Sequence, residues 1–282
     1  MSRIDDLIDR ESLEFVAASK ISYNDCYVLM QSGEPRYFLK KTGEAEKEAT
    51  VYEVFKKAKL GETLKLVDHG TDFILTEYYP NLTEYSTVFG TIYEIARFHN
   101  AGIENANYIK AKLKDSKFLN LDRTRAIARI NKHPELVRKF YSNSESLIKW
   151  IEKNQDLPKN QTKILVHGDF NEHNLVRSSD KDFIFLDFES AMYDYPSWDI
   201  CRPMLNTDSF ETAEDLAKEY LKGRGIKSNL TEDLVKIKVD CVLKYVSLGL
   251  TVLLRDTPQI RARRDWYLSK TSNFIGRIID EI

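Results

Sequence analysis

The sequence predicts an α+β protein in two lobes: a small β-rich lobe over residues 1–79 and a larger, mainly helical lobe over residues 80–282. Three observations lead there. At 282 residues the chain is about twice a usual domain length, which leaves room for two cores. β-prone runs separated by turn residues crowd its first quarter, whereas helical spacing of apolar residues dominates from Val88 onward. Between them, Tyr78-Tyr79-Pro80-Asn81 breaks both patterns.

The first strands form a hairpin. Ile21, Tyr23, Tyr27 and Val28-Leu29-Met30 precede the polar turn Gln31-Ser32-Gly33-Glu34-Pro35, and Arg36-Tyr37-Phe38-Leu39-Lys40 follows it. Residues 44–59 switch to helical period, with Ala45, Ala49, Tyr52, Phe55 and Ala58 on one stripe and Glu44, Glu46, Glu48 and Glu53 opposite or at the start. Leu64 to Val67 and Phe73-Ile74-Leu75 are short strands around Asp68-His69-Gly70. Beyond the break, Val88, Ile92, Ile95, Ala96 and His99 step by three and four, predicting an amphipathic helix to about Asn100. Helix formers dominate 119–155, 209–222 and 232–255, the last opened by Thr231 as N-cap before Glu232-Asp233.

One β-rich stretch interrupts this helical half. Ile164-Leu165-Val166 runs into a polar loop, His167 to Asn174, and then into a hairpin made of Leu175-Val176-Arg177, the turn Ser178 to Asp182, and Phe183-Ile184-Phe185-Leu186. Asp187 falls at the end of that hairpin. Asp169, Asn174 and Asp187 are therefore expected at one edge of the ribbon, and polar groups converging at strand ends mark a candidate site.

Composition removes several function classes. Lys+Arg number 42 against 44 Asp+Glu, a net charge of −2, so no global positive field favours nucleic acid or an acidic membrane surface. The three cysteines, Cys26, Cys201 and Cys241, lie far apart without metal-site spacing, which fits a reducing compartment. The acidic, amphiphilic segment Met1 to Arg10 does not read as a signal peptide. The longest charge-free apolar run, Tyr245 to Leu254, falls short of the roughly 18–20 residues of a membrane span, so a cytoplasmic location is expected. With 11 glycines and neither G-x-G-x-x-G nor a G-K dipeptide, the dinucleotide fingerprint and the P-loop are absent.

What remains is His167-Gly168-Asp169-x4-Asn174, followed thirteen residues later by Asp187-Phe188-Glu189. Phosphoryl transfer from a nucleoside triphosphate needs these groups: a carboxylate to orient the acceptor hydroxyl and take its proton, and an amide oxygen with a second carboxylate to hold Mg²⁺ against phosphate oxygens. With Tyr195-Pro196-Ser197-Trp198-Asp199 added, the chain resembles the aminoglycoside phosphotransferase and choline kinase family, related to the protein-kinase fold, over roughly residues 20 to 205.

That resemblance implies a bilobal protein-kinase-like fold and a role for each matching position. Asp169 is the expected catalytic base, Asn174 and Asp187 the metal ligands, and Asp199 a structural carboxylate bracing the catalytic loop. Phe38-Leu39-Lys40 looks like the strand lysine on the α and β phosphates, with Lys41 as competitor. Glu48 looks like its helix partner, with Glu44, Glu46 and Glu53 as competitors. Leu75-Thr76-Glu77-Tyr78-Tyr79 looks like the hinge, where Glu77, Tyr78 and Tyr79 would meet adenine through backbone groups, and Ser22-Tyr23-Asn24-Asp25 like the nucleotide loop. Glu189 is a further acid near the metal or the substrate, and His167 a hydrogen-bonded structural residue.

The implied activity is transfer of the γ-phosphoryl group of ATP or GTP, with Mg²⁺, to a hydroxyl of a small acceptor such as an aminoglycoside. Choline, a sugar, homoserine or another metabolite are the alternatives within the family, and a nucleotide-binding pseudoenzyme or regulatory module the alternative outside it. The acids Glu172, Asp194, Asp208, Glu211, Glu214 and Asp215 would suit a cationic acceptor or form a merely solvated face. His99 reads as a packing residue, and Arg261, Arg263 and Arg264 with Trp266 and Tyr267 as a charged helix face. The chain departs from the family pattern in a nucleotide loop without glycine. Only eleven residues separate Asp187 from Asp199, without A-P-E, so no protein substrate is expected.

Overall fold

The computed structural model describes residues 3–17, 25–80, 82–84, 88–113, 118, 128, 130–171, 174–178, 181–226, 230–254 and 258–281. Two compact units emerge, one of residues 1–85 with 173–191 and the other of residues 86–172 with 192–282. Residues 173–191 of the first unit carry the second hairpin, which the sequence reading assigns to the helical lobe.

The first unit is built on a five-stranded antiparallel sheet in the order β1-β2-β3-β5-β4: β1 (Leu13–Ala17), β2 (Asp25–Gln31), β3 (Glu34–Lys41), β4 (Leu66–His69) and β5 (Phe73–Glu77). Ser32 and Gly33 turn β2 into β3 with φ of 53° and 82°, the paired left-handed geometry that a two-residue hairpin loop requires. Strand β1 and the helix before it, α1 (Arg3–Glu11), are additions to the sequence reading. They were hidden because β1 is an edge strand with Phe15 and Val16 exposed, so apolar residues do not alternate there. Leu7 of α1 joins Leu13, Leu29, Tyr37, Leu39, Phe73 and Leu75 in one core cluster.

Side chains alternate along a strand, so Lys40 faces away from that cluster if Leu39 faces into it. On the Lys40 side lies α2 (Ala45–Ala58), which buries Glu48, Ala49, Val51, Tyr52, Val54 and Phe55. The second hairpin, β8 (Leu175–Ser178) with β9 (Lys181–Phe185), pairs with β6 (Thr83–Glu84) through Thr83 and Arg177. Aromatic packing ties it to α2, because Phe55 meets Phe185 at 5.5 Å and Phe188 at 4.7 Å between ring centroids. These contacts explain why the hairpin belongs to the first unit.

The second unit is mainly helical: α3 (Val88–Glu104), α4 (Ala106–Lys112), α5 (Pro134–Phe140), α6 (Ser144–Asn154), α7 (Ser197–Asn206), α8 (Phe210–Gly223), α9 (Leu230–Leu254) and α10 (Pro258–Glu281). The expected stripe of α3 is buried at Ile92, Ile95, Ala96 and His99. A short antiparallel pair, β7 (Ile164–Val166) with β10 (Met192–Asp194), leads into the polar loop at His167. All three β7 residues are buried. No helix among the described residues is long and apolar enough to cross a membrane.

Phe55 is 1% exposed and touches both aromatic rings of the hairpin's exit. Phe55→Ala should destabilise the protein by about 3–5 kcal/mol, read as a lowered urea midpoint. Phe55→Leu, which refills more of the space, should cost less.

Candidate active site

In the first unit, three of the sequence-predicted residues gather around the ammonium of a fourth. Lys40 Nζ lies 3.1 Å from Glu48 Oε1, 2.9 Å from Asp187 Oδ1 and 3.0 Å from Glu189 Oε1. Its side chain is 13% exposed, that of Glu48 2% and that of Asp187 46%, so the cluster has a closed end at Glu48 and an open one at Asp187. Lys41 instead is exposed and lies over the Tyr27 ring, and Glu44, Glu46 and Glu53 are exposed as well. Of the candidates, Lys40 and Glu48 are the pair that the structure brings together.

Glu48 also shapes the turn that carries Asp187. Its Oε1 accepts the Phe188 N–H at 2.9 Å, while Lys47 Nζ donates to the Glu189 carbonyl at 2.6 Å. Asp187 itself sits in the left-handed region at φ 59°, ψ 73°. That conformation is costly for a residue with a Cβ and persists only where neighbours impose it. Here the imposing contacts come from α2.

The charges do not cancel. With three carboxylates ionised the group carries two negative charges beyond what Lys40 neutralises. Burial pushes the Glu48 carboxyl up to about 7, against the pull of Lys40 and with Asp187 and Glu189 adding to it. Its Oε2 is buried without a hydrogen-bond partner among the described residues, so only the contacts at Oε1 favour the ionised form. Burial alone would lower the Lys40 ammonium, but Glu48, Asp187 and Glu189 outweigh it and hold its pKa above the ordinary lysine value.

A divalent cation fits this surplus. Asn174 is buried, and its backbone carbonyl accepts the Leu186 N–H at 2.9 Å, which holds it beside the residue preceding Asp187. An amide oxygen and carboxylates are hard donors that suit Mg²⁺. Among the described residues, no three His, Cys, Asp or Glu side chains form a metal cluster. Mg²⁺ that takes most of its ligands from phosphate and water needs none.

Glu77, Tyr78 and Tyr79 lie at and just past the end of β5. The Glu77 and Tyr78 amides are engaged, donating to the Lys65 carbonyl at 3.0 Å and the Arg36 carbonyl at 3.1 Å. Asn24 of the expected nucleotide loop lies outside the described residues, as do Ser22, Tyr23 and Glu172.

The second unit holds the remaining predicted residues. Asp169 is half-buried in the loop after β7, and Asn171 donates its side-chain amide to the Asp169 carbonyl at 3.2 Å. Asp199, fully buried in the first turn of α7, accepts the backbone N–H of His167 at 2.8 Å and of Gly168 at 2.7 Å. Gly168 has φ +83°, which glycine adopts readily. His167 is buried, and its ring meets Phe170 edge-on at 5.6 Å.

Sequence reasoning missed the partners of Asp199. His99 Nε2 lies 3.0 Å from Asp199 Oδ2, His99 Nδ1 lies 2.7 Å from the Tyr220 hydroxyl, and that hydroxyl accepts an N–H of Arg224 at 2.7 Å. The donors fit one arrangement, with neutral His99 donating to Asp199 and accepting from Tyr220. Burial lowers the His99 pKa against the pull of Asp199. Burial would raise the Asp199 carboxyl, but the His99 bond and nearby charges win and hold it below the usual carboxylate value. The stripe position of His99 signalled burial and nothing more.

The acids weighed for a cationic acceptor or a solvated face meet bases of this chain where the structure describes their pairs. Asp194 is buried with Lys163 at 3.8 Å, Glu211 pairs with Arg277, Glu214 with Lys238 and Asp215 with Lys218. Each answers a base of this chain.

Comparison with known proteins bears on the family and the fold. Residues 22–231 match the model of a phosphotransferase enzyme family. An ethanolamine kinase of Plasmodium vivax is similar in structure with a TM-score of 0.68 at 14% identity, over 98% of this chain and 86% of that one. An ADP-bound aminoglycoside phosphotransferase has a TM-score of 0.62 at 16% identity, over 96% and 98%. A choline kinase of Streptococcus pneumoniae has a TM-score of 0.57 at 15% identity, over 100% of both. No curated protein matches the sequence. The fold is the expected protein-kinase-like α+β fold.

His99 yields a pH test. Its folded pKa lies below its unfolded value, so its contribution to stability is present above the unfolded pKa and is lost as pH falls. His99→Gln keeps a neutral donor and acceptor there. The wild-type protein should lose more stability than this variant between pH 7.5 and pH 5.5, each value about the unfolded histidine pKa by one unit, measured by urea unfolding.

Proposed function

Because the chain belongs to the phosphotransferase enzyme family, we propose that it is a small-molecule kinase that moves the γ-phosphoryl group of ATP or GTP to a hydroxyl of its acceptor. The observation that carries this reading is the Lys40 cluster, in which Glu48, Asp187 and Glu189 surround one buried ammonium. Such a group is poised to exchange carboxylates for phosphate oxygens.

In this reading Lys40 holds the α and β phosphates and Glu48 keeps it in place. Mg²⁺, when bound to Asn174 and Asp187, supplies charge neutralisation at the phosphate oxygens, and Glu189 is an auxiliary acid there. Backbone groups around Glu77, Tyr78 and Tyr79 take the purine, and Asn24 is a further nucleotide contact. Asp169 orients the acceptor hydroxyl and takes its proton as the oxygen bonds to phosphorus and the nucleoside diphosphate leaves. Asp199 keeps the loop of Asp169 in shape.

The acceptors to try first are cationic alcohols. The structural neighbours are named for ethanolamine, choline and aminoglycosides, and each of these carries a hydroxyl and a positive nitrogen. Sugars and homoserine complete the set.

The test is Mg²⁺-dependent consumption of ATP and GTP with pooled acceptors, aminoglycosides in one pool and choline, ethanolamine, sugars and amino alcohols in another. Asp169→Asn should lower stimulated turnover by about 10²–10⁴-fold, with nucleotide affinity within about threefold. Binding of MgATP without turnover in any pool would identify a nucleotide-binding module instead, and absence of nucleotide binding would sink the reading.

A further inference from the structure

A lysine in the middle of a long buried helix needs a reason. Lys244 lies in α9 among Cys241, Val242, Leu243, Tyr245 and Val246, all of them buried. An ammonium in such surroundings is costly unless its head finds partners. Its charge acts on Asp199, whose carboxyl it helps to hold below the usual value. Its Nζ donates to the Gly168 carbonyl at 2.7 Å and reaches the Trp198 carbonyl at 3.5 Å. It also stands 5.0 Å above the Trp198 ring, a cation–π contact that steers the stem.

We propose that Lys244 is a positioning residue that fixes the peptide immediately before Asp169. The Gly168 N–H is held by Asp199 at 2.7 Å and the Gly168 carbonyl by Lys244, so both peptide groups of this glycine are clamped. Glycine at φ +83° is the residue whose backbone would otherwise move most freely. The carbonyl clamped by Lys244 shares its peptide plane with the Asp169 N–H, so the direction in which Asp169 leaves the loop depends on it. A charged donor on a neutral carbonyl makes this bond stronger than an ordinary one. Trp198 serves twice, since it also precedes Asp199. The role as a brace stands on the contacts alone; the effect on phosphoryl transfer rests on the kinase reading above.

Two variants and two independent readouts test it. Lys244→Met keeps the stem on Trp198 and removes the donor, and Lys244→Arg restores a charged donor. Amide exchange followed by mass spectrometry over residues 164–171 reads the brace. Mg²⁺-dependent ATP hydrolysis with water as acceptor, alongside ADP affinity by calorimetry, reads its consequence. In Lys244→Met the Gly168 and Asp169 amides should exchange at least about tenfold faster. Hydrolysis should fall about 10–100-fold, with ADP affinity and the KM for ATP within about twofold of wild type. Lys244→Arg should recover most of both.

Unchanged exchange and unchanged hydrolysis in Lys244→Met would overturn the proposal. So would a raised KM with kcat intact, which would make Lys244 a nucleotide contact, or faster exchange spread over the whole second unit, which would make it a general stabiliser. If Lys244→Met does not fold, Lys244→Gln takes its place with the same expectations. A wild-type protein that binds no nucleotide and hydrolyses no ATP would sink the kinase reading, while the exchange of Gly168 and Asp169 would still decide the brace.

Discussion

A buried ammonium must be met by negative charge, and much of the first unit is arranged to meet the one on Lys40. Strand β3 delivers the lysine, α2 delivers Glu48, and the turn after β9 delivers Asp187 and Glu189. A buried ion pair is weak evidence for stability, since desolvation offsets most of the attraction. Its effect is on geometry. Moving the strand or the helix would leave a desolvated charge uncompensated, so the pairing holds these two in register, and the turn is tied to both through Lys40 and Glu48. The left-handed backbone at Asp187 is part of the same arrangement, because Glu48 binds both Lys40 and the Phe188 N–H.

The second unit applies the same rule with the signs reversed. Its central buried charge is the carboxylate of Asp199, and donors surround it: two backbone N–H groups from the loop after β7 and the ring of His99. The His99 hydrogen bonds continue outward through Tyr220 to Arg224, which also donates to Asn100 at 2.7 Å. The backbone of a polar loop thus gains its shape from side chains on α3, α7 and α8. Close packing permits this, since a Cβ on Gly223 of α8 would come within 2.9 Å of the Ala96 Cβ on α3.

Aromatic packing decides where the second hairpin belongs. Phe185 and Phe188 lie on either side of Asp187 in sequence, and both reach Phe55. Phe188 also meets Tyr52 edge-on at 5.3 Å. Gly61 completes the fit, because a Cβ there would stand 3.0 Å from the Phe185 ring. The carboxylate that faces Lys40 is therefore anchored by the hydrophobic residues beside it. Polar chemistry at this place depends on apolar packing one residue away on one side and two on the other.

Much of this was legible in the residues themselves. Period two and period 3.6 marked the hairpins and the main helices because those periods are local properties of the backbone, and the spacing of Asp169, Asn174 and Asp187 marked the loop and hairpin. The sequence alone left Lys40 against Lys41 open, and Glu48 against Glu44, Glu46 and Glu53. Choosing among them needs the rotation of α2 against the sheet, which packing sets. Strand β1 escaped because an edge strand need not alternate, and Glu211 and Glu214 of α8 looked available because their basic partners on α10 and α9 are distant in sequence. Tertiary structure alone joined His99 to Asp199 and Lys244 to Gly168, 100 and 76 residues apart. Periodicity reports which face of an element is buried; which group waits on the other side depends on chain folding over distances that no local pattern encodes.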